Sequence, residues 1–193
     1  MMRKRLWVFV LATGTLAGPA QAQLPPPTAE PASNTLRFYY ARVKGLLIAA
    51  AEKMPEEHYA FRPTPEVRNF GSMVAHAANA NYFLCASARK EPSPVGQAEL
   101  EKTKTTKAEI VAALKSAFAY CDPVFAGLQD AQLGEPVRLF GLDTMKAVAL
   151  QQSIAHMWEH YGNMVTYLRM KGLVPPSTQQ APAARPASPP KPL

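Results

Sequence analysis

Several things are scarce in this sequence of 193 residues, and each scarcity excludes something. Cysteine occurs twice, as Cys85 and Cys121, with no C-x-x-C pair. The signatures of thioredoxin-type redox chemistry and of C-x-x-C-H haem attachment are therefore absent. There is no H-E-x-x-H, no glycine-rich phosphate loop and no G-x-S-x-G, so the common metalloprotease, nucleotide-binding and serine-hydrolase signatures are missing too. Charged residues make up only 18% of the chain, low for a soluble surface. Beyond the N-terminal leader there is no apolar run of about 18 residues, which excludes a multi-span membrane protein. Proline is rare where it would matter most: of 19 prolines only seven lie in residues 33–174. A collagen-like or wholly disordered chain is excluded by that distribution. What remains is one compact unit with proline-rich ends, large enough to bury a sizeable core.

Residues 1–22 have the features of a cleaved secretory signal. Arg3, Lys4 and Arg5 form the positive end, Leu6 to Leu16 the apolar run, and Ala20-Gln21-Ala22 a small-x-small cleavage site. The apolar run is short for a transmembrane anchor. The expectation is a periplasmic or secreted protein with no stable membrane insertion after cleavage. Charge changes meaning with this cut. The formal +7 falls to +4 without the three leader cations, and to +2 for residues 23–174 once Arg185 and Lys191 are set aside. A nearly balanced chain carries no nucleic-acid footprint. Residues 23–32 are assigned to a proline-rich linker and residues 175–193 to a disordered Pro/Ala-rich tail.

The middle is helical in pattern, with neither strand alternation nor repeats. The first helix is expected over about 34–54, capped by Ser33 or Asn34, with Leu36, Tyr40, Val43, Leu47, Ala50 and Met54 at spacings of four and three. The second spans about 70–89 with Asn69 as cap. The third begins at Thr106, where Thr106-Lys107-Ala108-Glu109 fits a capping box, and Pro123 is expected to kink or end it early. The fourth runs from about Thr144 to Lys171, capped by Asp143 or Thr144, with Gly172 as the residue after its end. Four such helices give a four-helix bundle. The connection over residues 90–105 is long enough to cross it, so the second and third helices can run parallel. Cys85 and Cys121 fall on those two helices. One disulfide is favoured over two buried thiols, because free thiols are uncommon in secreted proteins.

The fourth helix has an unusual polar face. Between Lys146 and Arg169 it has no basic residue, and Glu159 is its only acid. Leu150, Ile154, Trp158, Tyr161, Val165 and Leu168 form the expected apolar stripe; Gln152, His156, Glu159, His160, Asn163 and Tyr167 lie roughly opposite, like the lining of a cleft. His156 and His160 are four apart and project from one face. His76, on the second helix, sits among alanines that would let a neighbouring helix approach. Three neutral imidazoles can hold zinc, nickel or a similar ion with a position left open. On its own, H-x-x-x-H is weak evidence, and paired helical histidines without metal are common. His58, in a polar loop, is read as a surface residue.

The stretch His156-Met-Trp-Glu-His160-Tyr-Gly162-Asn163, continuing to Pro176, resembles the closing signature of the DinB-like (damage-inducible) family. Phe70-Gly-Ser-Met-Val-Ala-His76-Ala-Ala-Asn79 is similar to that family's histidine-bearing second helix. The resemblance implies a four-helix bundle, often in up-down-down-up order, over about residues 35–176. It also implies a divalent metal on His76, His156 and His160, and kinship with metal-dependent thiol transferases and mycothiol-dependent isomerases. Three functions follow as expectations: a metal-dependent transferase or hydrolase using an activated thiol or water, a non-catalytic metal-binding protein, or a plain partner-binding bundle of the cell envelope. For the first, Glu159, Tyr161 and Asn79 are the candidates to orient substrate or relay a proton. A small molecule or thiol is the expected partner, and a homodimer is left open.

Overall fold

The computed structural model of the chain describes residue 24 and residues 28–179. Residues 1–22, where a cleaved signal is expected, and residues 180–193 of the tail lie outside the described residues. Helix α1 (Pro31–Lys53), α2 (Phe70–Arg89), the short α3 (Leu100–Thr103), α4 (Lys107–Ala126), α5 (Lys146–Met170) and the short α6 (Pro176–Gln179) are joined by loops, two 3₁₀ turns and one hairpin, β1 (Pro136–Leu139) and β2 (Leu142–Met145). The four long helices form a bundle. No helix among the described residues is long and apolar enough to cross a membrane.

Side-chain pairings fix the helix directions. Tyr40 and Lys44 of α1 bond Asp122 of α4, while Glu52 pairs with Lys115, so α1 and α4 are antiparallel. Gly71 lies against Ile110 and Cys85 is bonded to Cys121, so α2 and α4 are parallel. Ser153 donates to Asn81 while the His156–His160 turn faces His76, so α5 runs antiparallel to α2. The order is up-down-down-up, as the resemblance implied, with residues 90–106 making the crossing between the two parallel helices.

The core forms where the apolar stripes meet. Val43, Leu47, Phe70, Phe118, Leu150, Met157 and Leu168 are fully or almost fully buried, each contributing about 1.5–3 kcal/mol through its removal from water. Tyr40 stacks on Phe125 with ring centroids 3.8 Å apart. At the start of α2, Gly71 allows an unusually close approach: a Cβ there would lie 3.1 Å from a Tyr59 ring carbon and 3.2 Å from the Ile110 methyl. Cys85 and Cys121 form a disulfide with Cα atoms 5.5 Å apart.

Local signals decide the helix ends. Asn69 Oδ1 accepts from the Ser72 amide at 2.7 Å. Thr106 and Glu109 make the reciprocal capping box at the head of α4. Gly172, at φ +72°, closes α5 with amides of 172 and 173 returned to the carbonyls of Arg169 and Leu168, a Schellman arrangement that glycine accommodates without strain.

Elsewhere the structure departs from the sequence expectations. Helix α1 begins at Pro31, with proline in its first turn and no side-chain cap; Ser33 is buried instead of capping. Pro123 does not end α4, which continues to Ala126. Near a helix end the carbonyls freed by proline are few, and the turn survives. Asp143 and Thr144 do not cap α5: they belong to β2, and α5 starts at Lys146. The tail is helical in its first residues, where α6 buries Pro176 and the Ser177 amide donates to the Tyr161 hydroxyl at 2.9 Å. On α5 the apolar stripe is rotated: Met157 and Met164 are buried, Trp158 and Val165 only half-buried, and His160 and Tyr167 face inward.

The hairpin was not foreseen. Val137 and Leu139 of β1 are buried, and the Ser87 hydroxyl of α2 donates to the Arg138 carbonyl at 2.6 Å. Its two-residue turn places Phe140 at φ +51° and Gly141 at φ +80°. Two successive left-handed residues are what a type I′ turn needs, and Asn-Gly is its usual filling. A phenylalanine in the first position carries a strain of about 1–2 kcal/mol, yet Phe140 is 67% exposed.

Candidate metal centre

His156 and His160 stand one turn apart on α5, and His76 faces them from α2. One ligand atom from each of the three lies within 4.8 Å of the others. The Nε2 atoms of His156 and His160 are 3.0 Å apart. Two imidazole nitrogens at about 2.0–2.1 Å from one ion would be separated by roughly 3.3 Å in tetrahedral geometry, so the pair is already close to a chelating distance. Ring centroids of His76 lie 5.3 Å from His156 and 5.0 Å from His160. His58 sits in the 3₁₀ turn Glu56–His58 and is not part of the group.

Electrostatics keeps these rings neutral. Burial pushes the His160 pKa down to about 3, assisted by His156, His76 and the Arg68 guanidinium. Burial is also the main cause of the lowered values of His156 and His76; for His76 Arg68 adds to it, while Glu101 opposes it. Neutral imidazoles offer lone pairs, the form a metal requires. The Nδ1 atoms of His156 and His160 are buried without any hydrogen-bond partner. It is the convergence of one nitrogen from each of three neutral rings that fits a cation-binding site. Three imidazole donors suit zinc, nickel or a similar divalent ion, so the residues present fit the group and could hold a metal ion.

Two charged residues complete the site that sequence reasoning did not find. Glu101 of α3 places Oε1 3.7 Å from His76 Nδ1, an electrostatic contact, and accepts from Arg68 Nε at 2.9 Å through its other oxygen. With Nδ1 turned to a carboxylate, Nε2 of His76 is the nitrogen left to ligate. Arg68 is fixed in turn, since its carbonyl accepts from the Tyr167 hydroxyl at 2.7 Å. In the sequence Glu101 is one of several charges in a polar connection, with nothing to single it out.

The three candidates for supporting roles separate. Asn79 holds the crossing connection: Nδ2 donates to the Ala98 carbonyl at 2.7 Å and Oδ1 accepts from the Leu100 amide at 2.9 Å. It thereby forms part of the wall of a pocket of about 450 Å³ that opens from His76 and His156. Glu159 is exposed, and its charge reaches His76 and His156. Tyr161 is not on that pocket; its hydroxyl is engaged by the Ser177 amide.

Solved structures of DinB-like proteins share this architecture. One from Bacillus cereus superposes with a TM-score of 0.63 at 17% identity, covering 74% of this chain and 94% of its own. Another, from Bacillus subtilis, gives 0.57 at 18% identity, covering 71% and 91%. No curated protein matches the sequence significantly. The model of the DinB superfamily matches residues 39–164, a span that runs from α1 through both histidine-bearing helices, and the chain belongs to that superfamily.

Proposed function

We propose that His76, His156 and His160 hold a divalent metal ion, zinc or nickel by the nature of the donors, and that the site carries out a transferase or hydrolase reaction on a small molecule. The observation that carries this reading is the convergence of three neutral imidazoles, one ligand atom of each within 4.8 Å of the others, two of which, His76 and His156, line a pocket. His76, His156 and His160 would hold the ion with a position open, and the chemistry it would supply there is Lewis acidity, enough to bring a water or thiol to nucleophilic form near neutral pH. The chain's own residues do the rest. Glu101 would orient His76, Asn79 pins the connection that walls the pocket, and Glu159, exposed and within electrostatic reach of His76 and His156, would take up or pass on a proton at the solvent side. The buried Cys85–Cys121 disulfide supports an oxidising compartment, in keeping with export directed by residues 1–22.

A second reading is favoured by the placement of the ligands on two different helices: the ion joins α2 to α5 and serves stability alone. Metal analysis of untagged protein comes first. About one equivalent per chain is expected, lost on His156→Ala; less than about a tenth of an equivalent, unaltered by that change, would overturn both readings. Assays of thiol transfer and hydrolysis with and without chelator then separate them. Activity lost while the fold persists supports the enzyme, and collapse of the fold supports the staple.

A further inference from the structure

The pocket beside the histidines has an outer end built unlike its inner one. From His76, α2 presents Asn79 and Ala80 and then Phe83 along the same face, two turns on, so the trough is about 10 Å long. At its far end Phe83 meets Phe140 of the hairpin turn, ring centroids 5.3 Å apart and planes inclined by 34°. Both rings are exposed, at 41% and 67%, and both line the pocket. Uncharged walls between the two ends come from Leu84, Val95, residues 96–98 and Gln152 of α5. The ionised side chains on the wall are Glu99 and Glu101, and no lysine or arginine lines it.

Phe140 is the feature that needs an explanation. A left-handed turn position favours asparagine, and folding gains little from a ring that stays two-thirds in water. Strain of this kind, held at the mouth of a pocket, is characteristic of a binding residue. The anchoring of the hairpin agrees with this: the Ser87–Arg138 hydrogen bond and the buried Val137 and Leu139 fix the turn against α2, so that Phe140 is presented on a rigid support.

We propose that this trough is the binding site for a small molecule with a flat, uncharged aryl end, which packs against Phe83 and Phe140 while its other end reaches the histidines. A pocket of this volume suits a ligand of that size. An aryl group gains the offset or edge contacts that two inclined rings offer. A carboxylate or phosphate at the outer end would give up its water and find no cation among the lining residues, and the two acids of the wall, Glu99 and Glu101, lie toward the histidines, so anionic thiols are poor occupants of that end. The proposal goes beyond the metal reading and stands without the ion, so its test uses chelator-treated protein, and failure of either idea leaves the other standing.

The test is a titration of ¹⁵N-labelled protein with three probes: 4-phenylbutan-1-ol, hexan-1-ol, and 4-(4-hydroxybutyl)benzoate, whose carboxylate sits on the ring. The phenyl alcohol is expected to shift amides of residues 93–101 and 139–142, and to bind about fivefold or more tighter than either other probe. Phe140→Asn should abolish that preference with an unchanged or raised melting temperature, because the turn is relieved of strain. Phe83→Leu, which keeps the apolar surface and removes the ring, should abolish it as well. Shifts elsewhere, no shifts up to the solubility limit, equal binding of the three probes, or a preference that survives both variants would overturn the proposal.

Discussion

At the scale of single residues, burial of His160 has a consequence that can be measured without metal. Its pKa in the folded chain is about 3, against an ordinary value of about 6.5. Between those values the unfolded chain binds a proton that the native one refuses, so stability falls as pH falls from about 6.5 towards 3. Above about pH 6.5 the ring is neutral in both states and contributes no pH dependence. His156 and His76 are shifted in the same direction and add to the slope. Urea denaturation of chelator-treated protein at a series of pH values should therefore show stability declining through this window, and His160→Leu should flatten the decline. A parallel curve for the variant would mean that the ring is not buried neutral. Glu101 is the other residue with a distinct expectation. A carboxylate that orients a ligating histidine is worth about 10- to 100-fold in metal affinity. Glu101→Ala should weaken binding by that factor in a competition titration. Glu99→Ala, which removes a carboxylate of the same wall that pairs with Lys102 and with no histidine, should leave it unaltered.

At the scale of elements, helix α4 gives the cleanest expectation. Its capping box joins Thr106 Oγ1 to the Glu109 amide at 3.3 Å and Glu109 Oε2 to the Thr106 amide at 3.1 Å. Thr106→Ala should cost about 1 kcal/mol in chemical denaturation. This element was legible in the sequence because a cap and a 3.6-residue rhythm are local. The same holds for the Asn69 cap and the Gly172 ending, and for His156 and His160, whose spacing alone places them on one face. Phe140-Gly141 was not read as a turn, since an aromatic residue in a left-handed position has no local signature and each strand has only four residues. The rotation of α5 is not legible in the sequence for a different reason. Met157 and Met164 count as apolar in any pattern, but which of two adjacent apolar rows turns inward depends on α2 and α1, and His160 is buried with that row. Glu101 was unreadable because its role arises from the way Asn79 pins the crossing connection over the second helix.

At the scale of the whole molecule, α2 carries both of the cross-helix fastenings, while α1 packs against α4 and α5. Helix α2 packs between α4 and α5, shares the disulfide with the first through Cys85 and the histidine cluster with the second through His76. The two fastenings act on different terms of the folding equilibrium. A disulfide closing a loop of 36 residues restricts the unfolded chain and is worth roughly 3–4 kcal/mol. An ion bound only by the native state adds about 2.7 kcal/mol at 100 times its dissociation constant. His76 and Cys85 are more than two turns apart on one helix, about 13 Å along its axis. Sites this far apart with no shared partner usually contribute independently. The four states formed by metal loading or removal, in the native chain and in the Cys85→Ala, Cys121→Ala double variant, should thus give additive stabilities to within about 0.5 kcal/mol. Asn81 and Ser153 lie between the two fastenings, both fully buried, with the Asn81 Nδ2 lacking a partner. A coupling larger than about 1 kcal/mol in that cycle would mean that this pair transmits strain along α2. Additivity would instead establish α2 as a rigid spine, with the histidine-bearing face and the disulfide-bearing face stabilised separately.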